Sequence, residues 1–261
     1  MIFNPKSLLM AIAFILFQLN QVLAQNDSKA VDLQDSASSR NRQDYQLDYR
    51  HLIAPAVFIG FGVAGLESDA LKELNSSTRF EIHEHALDKL HLDNYTQYVP
   101  ALLVYGLNAA GVKGKHNFKE RTIIYATSQL ISAAFVVPLK HITNEERPDG
   151  SNNLSFPSGH TATAFSSAQF MFMEYKDSNF WLSISGYSFA VFTGVYRTIN
   201  DKHWVGDIVA GAGFGILSTE MAYWLYPKIN GIFDKRNGKS STMLMPYYQN
   251  KGFGISLVKN F

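Results

Sequence analysis

Between Arg197 and Asp207 the sequence sets a guanidinium, an imidazole at His203 and a carboxylate at fixed intervals beside an apolar run. If the chain is helical from His203 onward, His203 and Asp207 lie four apart on one face. The carboxylate then holds the proton of one ring nitrogen, and the other nitrogen is free to attack. Arg197 is a planar five-donor fork, suited to a cluster of anionic oxygens. A His–Asp pair on a helix is more often a plain hydrogen bond than a reactive pair, so the reading rests on two further stretches. Lys140 and Arg147 flank a polar loop, and Phe156-Pro157-Ser158-Gly159-His160 opens another apolar run. Pro157 and Ser158 are helix-start residues, and the free N–H groups of a helix N-terminus form a ready anion site. Three loops thus supply Lys140, Arg147, Arg197, the Ser158 hydroxyl, the Gly159 amide and two histidines. That set has what is needed to hold a phosphoryl group and cleave it.

At these residues the chain resembles the type 2 phosphatidic acid phosphatase superfamily, which also holds class A acid phosphatases and vanadium-dependent haloperoxidases. The family signature is Lys, six residues, Arg-Pro; then Pro-Ser-Gly-His; then Ser-Arg, five residues, His, three residues, Asp. The three blocks stand here in that order as Lys140 to Pro148, Pro157 to His160, and Tyr196-Arg197 through His203 to Asp207. One position departs: Tyr196 replaces the family's Ser, which takes a small hydroxyl out of the phosphate shell and leaves every charged group in place. The resemblance covers about residues 95 to 227.

The resemblance implies a phosphoric monoester hydrolase. His203 attacks phosphorus to give a phosphohistidine, and Asp207 fixes its tautomer and stabilises the developing imidazolium. His160 protonates the departing alkoxide and then activates water. Lys140, Arg147, Arg197, Ser158 and the Gly159 amide hold the peripheral oxygens, so neither metal nor cofactor is expected. The implied substrate is a lipid phosphate, or another phosphomonoester or diphosphate. The alternatives are a soluble periplasmic acid phosphatase and a vanadium-dependent haloperoxidase with His203 as the vanadate ligand; those haloperoxidases resemble longer chains with wider gaps between blocks.

The elements that must position these residues are read from the runs between charged loops. The uncharged stretches 51–66, 94–112, 122–139, 158–173, 178–196 and 208–219 exceed ordinary strand length and carry small residues at helical spacing. The expected fold is therefore all-α, a compact bundle of about six core helices over residues 51–227, embedded in a membrane. Aromatic residues at segment ends, Tyr95, Tyr98, Tyr196, Trp204, Trp224 and Tyr226, favour membrane interfaces. A mean hydropathy of −0.07 is wetter than six full spans would give and keeps a soluble bundle as the alternative. Gly211 and Gly215, four apart, suit a close helix contact. With Gly213 they sit inside an apolar segment rather than a strand-to-helix turn, which excludes a nucleotide-binding loop.

Flanking the bundle, Met1 to Ala24 reads as a secretory signal peptide cleaved after Ala24, and residues 25–50 as a polar linker. Phe80 to Leu92 reads as an amphipathic helix with His83, His85 and His91. The first two histidines point to different faces, so a solvated or interfacial face is expected there rather than a metal site. Residues 228–261 form a polar tail, with alternation from Phe253 to Phe261 that suits a short strand. The net charge of +1 argues against a nucleic-acid partner, and the absence of cysteine excludes a disulfide framework or a thiolate site. No protein partner is indicated. Lys113, Lys115, Lys119 and Arg121 mark the loop after the second run as cytoplasmic. The catalytic loops then face the periplasm or exterior of a bacterial-type envelope. With a cleaved signal this holds only if run 51–66, broken by Pro55 and three glycines, is re-entrant, interfacial or packed in the bundle without crossing.

Overall fold

A computed structural model describes residues 45–84, 91–236, 242–249 and 252–259. The signal peptide expected at Met1 to Ala24, most of the linker, and His85 lie outside the described residues.

Eight helices follow in order among the described residues: α1 (Tyr49–Glu67), α2 (Asp69–Glu84), α3 (Asp93–Thr96), α4 (Val99–Ala109), α5 (Phe118–Thr143), α6 (Gly159–Tyr175), α7 (Phe180–Ile199) and α8 (Val205–Arg236). Six of them, all but α2 and α3, coincide with the six apolar runs. Their boundaries are written in side chains. Asn117 caps α5 in a reciprocal box with Glu120, each accepting from the other's backbone N–H at 3.0 Å. At its other end Asn144 adopts φ 49, the left-handed conformation that stops a helix and that Asn tolerates. Asn179 caps α7, and Ser158 caps α6.

α8 is the central helix, packed against α1, α5 and α6, while α7 closes on α6. Glycines make this approach possible. A Cβ at Gly215 would lie 2.3 Å from the Ala162 carbonyl oxygen and one at Gly211 2.5 Å from that of Ser158, so the small stripe expected from their spacing is the α6 contact. Gly213 meets α1 at the Pro55 carbonyl, and Gly62 of α1 meets Ala210 and the Gly206 carbonyl in return. Overpacking of this kind costs about 1–3 kcal/mol and here meets rigid backbone. We expect Gly215→Ala to lower the thermal unfolding midpoint in detergent by several degrees or to prevent folding, and an unchanged midpoint would show that the contact gives way.

Length and composition make three helices able to cross a membrane: α1, α5 and α8 up to Gly231. Where their apolar surface points separates a bilayer from a buried core. In the apolar windows of α1 and α5 only 17% and 22% of residues are buried inside the bundle, against 61% for α8. Ile53, Val57, Leu130, Val137, Val191 and Val195 are all at least half exposed. Side chains of this kind turned outward along whole helices suit lipid rather than water.

Several boundaries differ from those expected. α1 starts at Tyr49 rather than after residue 50, and the residues before it are engaged: the Tyr45 hydroxyl donates to Glu220. The run 51–66 is one continuous helix through Pro55, lying along α8. Of the helix expected over Phe80 to Leu92, Phe80 to Glu84 are the last described residues of α2, which begins at Asp69; residues 85–90 lie outside the described residues, and His91 and Leu92 are outside any helix. α8 continues through Pro227 to Arg236 instead of ending there. Proline removes one backbone donor without ending the apolar face, and Lys228 Nζ sits 3.6 Å from the centroid of the Trp224 ring, an i,i+4 contact across the break. The strand expected near the C-terminus is present as β2 (Gly252–Lys259), and it pairs antiparallel with β1 (Thr242–Gln249), which periodicity had not marked.

Candidate active site

The three loops meet at one end of the bundle. His203 does not lie on α8 but in the loop before it, so the shared helix face expected for His203 and Asp207 is not what joins them. Asp207 sits in the first turn of α8 and folds its side chain back over the helix start, where Oδ2 accepts from the Trp204 N–H at 2.9 Å. That places Oδ2 3.5 Å from His203 Nδ1. The separation is longer than a formed hydrogen bond, and such pairs shorten when substrate binds.

His203 is 2% exposed. Burial, followed by the charges of Lys140, Arg197 and Arg147, holds its pKa well below the ordinary 6.5, with His160 adding to the same effect. The ring is therefore neutral at physiological pH. Lys140, Arg147, Arg197 and His160 thus lie within electrostatic reach of the ring. Lys140 donates to the carbonyls of Leu154 at 2.6 Å and Ser155 at 3.2 Å, two of the three bonds its ammonium can make. Arg197 NH1 binds Asp93 Oδ2 at 2.6 Å, deep in the bundle. The Nε atoms of Arg147 and Arg197 are buried with no hydrogen-bond partner among the described residues. Buried donors of this strength are expensive to leave unpaired, and an anion between them would satisfy both.

Ser158 caps α6: its hydroxyl accepts from Thr161 N at 3.4 Å and bonds Thr161 Oγ1 at 2.9 Å, while its own N–H donates to the Asp207 carbonyl at 3.0 Å. Gly159 follows beside Lys140, where an added Cβ would meet Lys140 Cε at an ordinary 4.0 Å. His160, half-buried in the first turn of α6, points Nε2 at Asn94 Oδ1, 2.8 Å away. All eight residues singled out in the sequence therefore gather at this end.

The two polar loops are clamped across each other. Lys202 bridges to Asp149 at 2.5 Å, the Asp149 N–H donates to the Asp201 carbonyl at 3.1 Å, and the Trp204 indole donates to the Glu146 carbonyl at 2.8 Å. Tyr196, in place of the family's Ser, turns its ring to Phe192 with centroids 4.5 Å apart.

Three contributors went unread in the sequence. Asp93, fully buried, binds Arg197 and Asn200; Asn94 binds His160; Ser155 touches both His203 and Asp207. Asp93 and Asn94 stand at the start of the 94–112 run and look like helix-start residues. Ser155 carried one signal, its place immediately before the Phe156 to His160 block.

Residues 121–230 match the family model of the PAP2 superfamily. Among curated proteins, the chain is 36% identical over 135 residues to a lipid A 1-phosphatase of Porphyromonas gingivalis, covering 51% of this chain and 30% of that protein. It is 37% identical over 79 residues to the bacitracin transport permease protein BcrC of Bacillus licheniformis, covering 30% and 36%. The chain thus spans about a third of the length of these curated relatives. Among solved structures it is similar to a transmembrane PAP2-type phosphatidylglycerolphosphate phosphatase of Bacillus subtilis, with 17% identity, a TM-score of 0.48, and coverage of 69% of this chain and 96% of that one. The segment that matches the PAP2 superfamily holds all three motif blocks, from Lys140 to Asp207.

Proposed function

We propose that the chain is a membrane lipid phosphatase that works through a phosphohistidine on His203, with its site on the external face. The observation that carries this reading is a buried, neutral His203 with a carboxylate behind Nδ1 and three cationic side chains around it. Lys140, Arg147 and Arg197, with the Ser158 hydroxyl and the Gly159 amide, hold the three peripheral oxygens as charge develops on them. His203 displaces the leaving oxygen in line, and Asp207 stabilises the imidazolium that forms. His160 gives the leaving oxygen its proton and then takes one from the water that hydrolyses the intermediate. A lipid substrate is favoured by the outward apolar faces of α1, α5 and α7, which put the site at the end of a bundle suited to a bilayer.

Phosphate release from lipid phosphates by the purified protein in detergent tests this directly. Three full positive charges in the cradle make a metal unnecessary, so activity should survive excess EDTA. Vanadate should inhibit as a five-coordinate mimic bonded to His203. Loss of activity to chelator, restored by magnesium or zinc, would contradict the mechanism.

Orientation follows from which residues share each end. The C-terminal part of α1 meets the start of α8 at Gly62 and Gly206, and the segment before α1 reaches Glu220 far along α8. α1 thus begins at the end away from the site, together with Arg50 and the Lys113 to Arg121 loop. Basic residues favour the cytoplasm, which supports a site outside and, if α1 crosses, the segment before Tyr49 inside. A signal cleaved after Ala24 would instead put that segment outside. Single cysteines introduced at Asn153, Lys113 and Asp48 distinguish these cases. Asn153 and Lys113 are exposed, whereas a side chain at Gly114 would lie 2.7 Å from Glu174 Oε2. A membrane-impermeant maleimide should label position 153 alone. Labelling at 48 as well would restore the cleaved signal, labelling at 113 without 153 would invert the site, and labelling at all three would favour a soluble protein.

A further inference from the structure

Ser155 lies in the loop between α5 and α6 and is fully buried. Its hydroxyl donates to Asp207 Oδ2 at 2.5 Å, and its oxygen lies 3.5 Å from His203 Nδ1, the same distance that separates Nδ1 from Asp207 Oδ2. The proton on Nδ1 therefore faces two acceptors, and the acceptors are bonded to each other. The backbone of Ser155 is tied in as well: its carbonyl accepts from Lys140 Nζ at 3.2 Å, and its N–H donates to the Glu145 carbonyl at 2.9 Å. No other residue among those described bonds Lys140 through its backbone while its side chain bonds Asp207 and neighbours His203.

We infer that Ser155 is a positioning residue for the reaction: its hydroxyl fixes the Asp207 carboxylate so that Oδ2 stays against Nδ1 of His203. The inference rests on the phosphatase reading above. A carboxylate in the first turn of a helix has competing donors, and here the Trp204 N–H already draws Oδ2 toward the helix start. The Ser155 hydroxyl pulls the same oxygen from the His203 side, so the two donors together define where it stands. A serine can do this while still accepting from Nδ1–H, because a hydroxyl donates once and keeps two acceptor lone pairs. As His203 attacks and its ring gains positive charge, the Nδ1 proton moves toward an oxygen that is already held in place. Positioning of this kind helps the step that forms the phosphohistidine and should be indifferent to the leaving group.

Ser155→Ala separates this role from packing. It should lower kcat by about 10- to 100-fold, the size expected for losing one hydrogen bond to a charged group, with little change in KM. The loss should be equal on p-nitrophenyl phosphate and on an alkyl phosphate, and Ser155→Cys, which keeps the size and a weak donor, should recover part of it. The deciding measurement is the double variant. If Ser155 acts through the carboxylate, Ser155→Ala in an Asp207→Ala background should cost no further activity, because the group it positions is gone. Equal losses with and without Asp207, or a Ser155→Ala protein with unchanged kcat and an unchanged unfolding midpoint, would overturn the inference while leaving the phosphatase reading standing. Absence of phosphate release by the unaltered protein would overturn both.

Discussion

His203→Ala should abolish phosphate release, lowering kcat by about five orders of magnitude or more, as loss of a nucleophile does in enzymes whose reactive residues act as a unit. The size follows from the site. His203 is the neutral, buried imidazole at the centre of the cradle, and Lys140, Arg147 and Arg197 stabilise charge only on a group that something has attacked. The remaining cradle should still bind anions, so vanadate should lose its covalent mode and inhibit far more weakly while phosphate binds much as before. Initial-rate kinetics with a membrane-extracted variant of native unfolding midpoint would check this. Retention of more than a small fraction of the activity would move the nucleophile elsewhere.

His160→Ala should divide substrates by leaving group. On an alkyl phosphate the departing alkoxide needs a proton, and loss of its donor should cost about 10²- to 10⁴-fold. On p-nitrophenyl phosphate the leaving group departs without help, so formation of the phosphoenzyme should be nearly unaffected. His160 is half-buried, with Nε2 bonded to Asn94 Oδ1. Asn94 is placed by buried neighbours: Gln97 Nε2 donates to its carbonyl at 2.9 Å, and Asp93 anchors α3 to Arg197. Equal loss on the two substrates in the phosphoenzyme-forming step, read from the pre-steady-state burst, would contradict the proton-donor role.

Much of this arrangement was legible in the sequence because charge is costly inside an apolar bundle. Lys140, Arg147, Arg197, His203 and Asp207 interrupt apolar runs, and the six runs themselves coincide with α1 and α4 to α8. Gly211 and Gly215 announced the α6 contact by their spacing, since only small residues let helices approach so closely. What stayed hidden depends on tertiary contact. The His203–Asp207 pair looked like an i,i+4 helical pair, yet it is made by Asp207 folding back to the Trp204 N–H, with His203 in the loop. Ser155 and Asn94 are ordinary loop residues until the bundle brings them to Asp207 and His160. Asp93 resembled a helix-start residue, and its partner Arg197 is 104 positions away. The end of α8 was misread at Pro227 because a proline marks a helix stop locally, and only the continuing face, with Lys228 over Trp224, carries the helix across.

The central claim is a phosphoryl group carried on His203, and trapping it is the most direct test. The His160→Ala protein should load the group from p-nitrophenyl phosphate and release it slowly, since the base for the attacking water is missing. Rapid denaturation in alkali followed by peptide mass spectrometry should find one phosphate on the peptide containing His203, stable to base and lost in acid, as a phosphoramidate is. An acid-stable phosphate on another residue, or no covalent phosphate under conditions where p-nitrophenol is released in a burst, would contradict the account.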